Sequence, residues 1–74
     1  MKVLERVVLE STEEAEALAL KYAGKKGEFC SGPSTGTEYP QEAIVVENSK
    51  PYRYAEGMCV YSILTKEGFP HLFE

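Results

Sequence analysis

The sequence predicts an α+β fold: one helix packed on a small mixed or antiparallel sheet of three to four strands, in the order β-α-β-β-β. Three observations lead there. A capped helical segment spans Thr12–Ala23, alternating apolar stretches flank it on both sides, and short turn signals join the C-terminal stretches.

Lys2 to Glu10 reads as the first strand. Val3, Val7 and Leu9 fall on one face and Leu4 and Val8 on the other, with Glu5 and Arg6 as interruptions. Apolar residues on both faces predict a strand covered on both sides, or an interior strand in a sheet. Ser11-Thr12-Glu13-Glu14 then forms a capping box. Ser11 is placed to accept from the Glu14 backbone N–H, while the Glu14 side chain reaches back to the Ser11 N–H. Gly24 offers the stop, and Lys21, Lys25 and Lys26 suit the negative end of the helix dipole. Ala15, Leu18, Ala19, Tyr22 and Ala23 make the buried stripe. Ala17 and Leu20 fall outside it, which marks them as candidate interface residues.

Residues 24–41 carry no period and read as one long loop, rich in glycine, proline and hydroxyls. Only Glu28-Phe29-Cys30 offers an extended stretch within it. Glu42 to Asn48 is the next strand, followed by a turn at Asn48-Ser49-Lys50-Pro51. A short strand at Tyr52–Glu56 follows. Gly57 breaks it before the longest strand, Met58–Lys66. Residues 67–74 form an apolar tail expected to dock on the rest of a single domain, residues 1–74.

Seventy-four residues bury a small core, which supplies about 3–5 kcal/mol at most, so a second source of stability is expected. A homodimer would supply it. The N-terminus is charged from Lys2 onward and no apolar run reaches membrane-spanning length, which predicts a cytoplasmic chain with no membrane role. Cys30 and Cys59 are then expected to be reduced and packed as small apolar residues. A net charge of −4 disfavours nucleic acid. All twelve acids are Glu, and Asn48 and Gln41 are the only side-chain amides, a composition that fits a heat-adapted source.

Catalytic chemistry is poorly provided for. His71 is the only histidine, and no spacing ties it to either cysteine. The three Cys and His residues are too few and too scattered for zinc. The leading expectation is a non-enzymatic binding or accessory module for a protein or small ligand, with no cofactor. It would use the 24–41 loop, where Ser31, Ser34, Thr35 and Thr37 present donors. An alternative is weak calcium binding by clustered oxygen ligands, with Glu10, Glu13, Glu14, Glu38 and Glu42 as candidates. A second alternative is a small enzyme or enzyme subunit using a cysteine thiol.

Overall fold

The computed structural model describes residues 2–24, 28–33, 38–54 and 57–74. Strand β1 (Lys2–Leu9) leads into helix α1 (Thr12–Tyr22). Strands β2 (Glu28–Ser31), β3 (Gln41–Tyr54) and β4 (Gly57–Thr65) follow, then a single 3-10 turn at Pro70–Phe73. The four strands form one mixed sheet in the order β1-β3-β4-β2. β1 and β4 run antiparallel to β3, whereas β2 runs parallel to β4. One helix lies on one face of this sheet, in the predicted element order.

Two strands are distributed differently from the expectation. The stretch 24–41 is not loop throughout, because Glu28–Ser31 pairs with β4 as an edge strand. The residues assigned to the Asn48–Pro51 turn and the following short strand belong instead to β3, which runs through to Tyr54. The turn chemistry is expressed as a bulge. Pairing jumps from Glu47↔Tyr61 to Tyr52↔Cys59, so β3 inserts extra residues there. The Asn48 side chain pins this irregularity. Its Nδ2 donates to the Cys59 carbonyl at 3.3 Å and to Ser62 Oγ at 3.1 Å, and Ser62 Oγ reaches Asn48 Oδ1 at 3.3 Å.

A second irregularity corrects the face assignment in β1. The register shifts between Val3 and Glu5, which moves Leu4 to the helix side with Val7 and Leu9. Val3 and Val8 are left 53% and 56% exposed. The strand is therefore covered on its helix side only along most of its length, and it lies at the sheet edge rather than in the interior.

The helix starts as its sequence dictates, with one change. Ser11 Oγ accepts from the Glu14 N–H at 3.3 Å, but the Glu14 carboxylate takes the N–H of Glu10 at 3.2 Å rather than that of Ser11. Ala15 is buried on Leu9, Cys30, Ala43, Val45 and Ile63, which form the core beneath α1. On the opposite face, Phe73 from the 3-10 turn packs against Ile44 and Val46. Arg6 lies 5.3 Å over the Phe73 ring and pairs with Glu42 at 3.1 Å.

A polar tie joins β1 to the end of α1. Glu5 accepts hydrogen bonds from the Tyr22 hydroxyl and from Lys21 Nζ, while the Tyr22 ring packs on Tyr61 at 5.5 Å. The Tyr22 hydroxyl, and then Lys21, hold the Glu5 carboxyl below its ordinary value. The same bond pushes Tyr22 up to about 12 from its ordinary 10.0. The Glu5 contribution to stability is thus present above the ordinary carboxyl value and lost as pH falls through the depressed one. The Tyr22 contribution is complete below pH 10.0 and lost as pH rises towards about 12. In Tyr22→Phe, carboxyl NMR should find the Glu5 midpoint raised; an unchanged midpoint would show that the hydroxyl does not control it.

Candidate functional site

A groove of about 540 Å3 opens between α1 and the chain that follows it. Helical spacing builds one wall, because Ala15, Ala19 and Ala23 recur every fourth residue and present only methyl groups. The other wall comes from β2, through Phe29 and Cys30, and from Tyr39 just before β3. Phe29 and Cys30 come from the strand that follows α1 and Tyr39 from further along the chain, so the fold brings the walls together. Leu20 stands on the helical rim and is 73% exposed. Thr12 and Glu16 supply the polar atoms along the same rim, and Gly32 and Pro33 close the far side.

Gly32 has no heavy atom near the position a Cβ would take, so its lack of a side chain is not forced by crowding. The Cys30 thiol is buried, and that burial pushes it up to about 11, with neighbouring Cys59 adding to the rise. A reactive cysteine needs a depressed value, and burial moves Cys30 the other way. Cys59 is also free and buried.

Of the residues expected to bind a ligand, Ser31 ends β2 and is half-buried. Ser34, Thr35 and Thr37 lie outside the described residues. The candidate metal ligands are engaged separately or dispersed. Glu14 closes the helix cap onto Glu10. Glu42 sits between Arg6 and Lys66, with the Lys66 pair at 3.4 Å. Glu38 borders a shallow depression with Gln41 and Lys66, and Glu13 is exposed in the first turn of α1. Among the described residues, no three His, Cys or Glu side chains come together as a metal site.

Ala17 and Leu20 are both exposed, but the structure places them on different flanks of α1. Leu20 belongs to the groove beside β2, and Ala17 to a shallower one beside β1. Sequence reasoning missed Phe29, Tyr39 and the alanine wall. Phe29 and Tyr39 were visible as lone aromatics among glycine and hydroxyl residues, a signal for anchor positions in a segment otherwise lacking apolar side chains.

No protein-family model matches the chain, and no curated protein or solved structure does so either.

Proposed function

We propose that this chain is a small non-enzymatic binding or accessory module that receives an apolar group of a protein or small ligand in the groove between α1 and β2. The single observation that carries the reading is the groove itself. It is a concave surface of about 540 Å3, walled by alanine methyls, Phe29, Cys30 and Tyr39, with few polar groups at its rim. Its size lies within the roughly 300–1,000 Å3 range of small-ligand sites. The raised, buried Cys30 thiol supports binding over thiol catalysis.

Indole is a suitable probe, being flat, uncharged and apolar. In a titration followed by backbone amide shifts, saturable changes are expected at Ala15, Ala19, Phe29, Cys30 and Gly32. Shifts that grow linearly and spread equally over β1 and the 3-10 turn would overturn the reading.

A further inference from the structure

The opposite flank of α1 carries a different pattern. A shallow groove there is bordered by Val8 and Leu9 of β1 and by Glu14, Ala17, Leu18 and Lys21 of the helix. Glu14 and Lys21 are seven residues apart, so they stand almost in line along the helix axis, separated by about 10 Å. Ala17 and Leu18 lie at the midpoint between them. Glu14, Ala17 and Lys21 are exposed, and β1 beside them is the edge strand of the sheet.

We infer that this flank is the contact surface of a homodimer, in which two copies pack α1 antiparallel across a two-fold axis passing between Ala17 and Leu18. The reason is charge complementarity that a second copy satisfies at both ends. A two-fold axis at that midpoint sets Glu14 of each chain against Lys21 of the other, and the two contacts are equivalent. The small Ala17 lets the helices approach closely, while the half-buried Leu18 supplies apolar area. Existing contacts are compatible with the arrangement. Lys21 Nζ already donates to Glu5, and an ammonium has three donors. Glu14 uses Oε2 for the Glu10 N–H, and a carboxylate accepts at both oxygens. The surface is distinct from the groove beside β2, so its occupancy leaves that groove open.

Sedimentation equilibrium over a concentration series tests this, because the pattern makes a demand no other partner would meet. The wild type should approach twice its 8.3 kDa mass as concentration rises. Glu14→Lys and Lys21→Glu should each remain monomeric where the wild type is dimeric. Mixing the two variants should restore the doubled mass, since one chain then carries two cations and the other two carboxylates. Any loss of the helix cap in Glu14→Lys persists in the mixture, so recovery reports the interface alone. Ala17→Glu, at an exposed helical site, should weaken association roughly tenfold or more by placing two carboxylates at the axis. Leu20→Glu, on the other flank, should leave association unchanged. A wild type that stays monomeric to about 1 mM overturns the inference. So does a mixture that fails to recover, or a folded Ala17→Glu variant that associates like the wild type.

Discussion

Ile63→Ala is expected to remove about 2–5 kcal/mol of stability. Ile63 sits in β4 directly opposite Val45 of β3 and is 2% exposed. Its side chain belongs to the cluster that Ala15 of α1 closes from above. Truncation would therefore open a void between the helix and the middle of the sheet. Most of the surrounding side chains are small or branched and have little freedom to move into it. Because a core of this size supplies only about 3–5 kcal/mol, one such void consumes most of the margin. Urea unfolding followed by far-ultraviolet circular dichroism measures the loss. Val8→Ala, at an exposed position of the edge strand, should stay within about 0.5 kcal/mol of the wild type. A loss below about 1 kcal/mol for Ile63→Ala would mean that the helix is not seated on this cluster.

Asn48→Ala should cost about 1–3 kcal/mol despite lying in a bulge within the β3–β4 ladder. The amide satisfies the Cys59 carbonyl and the Ser62 hydroxyl together, and Ser62 is buried. Alanine removes both partners at once and leaves buried polar groups unpaired, which costs more than the bonds themselves contribute. The effect has a distinctive location. Hydrogen exchange should accelerate around Cys59 to Ser62 and Tyr52, while α1 and the β1–β3 pairing keep their protection. Uniform acceleration across the chain would instead mark a general loss of stability with no special role for the bulge.

The parts of the fold that were legible are those written in neighbouring residues. Ser11 and Glu14 specify the start of α1 because a cap is a contact across three positions, and the spacing of its apolar stripe places Ala15 on the core. The strand β2 was not legible in the same way. Four residues without a repeating pattern become a strand only because β4 offers them a parallel edge. The bulges in β1 and β3 have the same origin. Turn residues at Asn48–Pro51 signalled a departure from regular pairing, yet whether the chain reverses or bulges depends on Cys59 and Ser62, more than ten residues away. In β1, alternation assigned Leu4 to the wrong face because one inserted residue inverts the period. The groove was hidden for a further reason. Its alanines read as part of the buried stripe of α1, and their role as a groove wall appears only when Phe29 and Tyr39 stand opposite them.

Glu14 and Glu42 carry structural roles alongside the composition they contribute to. Glu10, Glu13 and Glu14 are adjacent in sequence, but Glu14 is committed to the cap at Glu10. Glu42 is committed to Arg6 and Lys66 on the outer side of the sheet. At Glu14 and Glu42 the charge thus serves capping and pairing.

The groove between α1 and β2 is tested most directly by titrating indole into the wild type and into Leu20→Glu, with amide shifts read in both. Leu20 lies on the rim and is 73% exposed, so its replacement leaves the core intact. Saturable shifts confined to Ala15, Ala19, Phe29, Cys30 and Gly32, weakened severalfold in the variant, are the predicted result. Equal, unsaturable drifts in the two proteins would contradict the assignment of this groove as the binding surface.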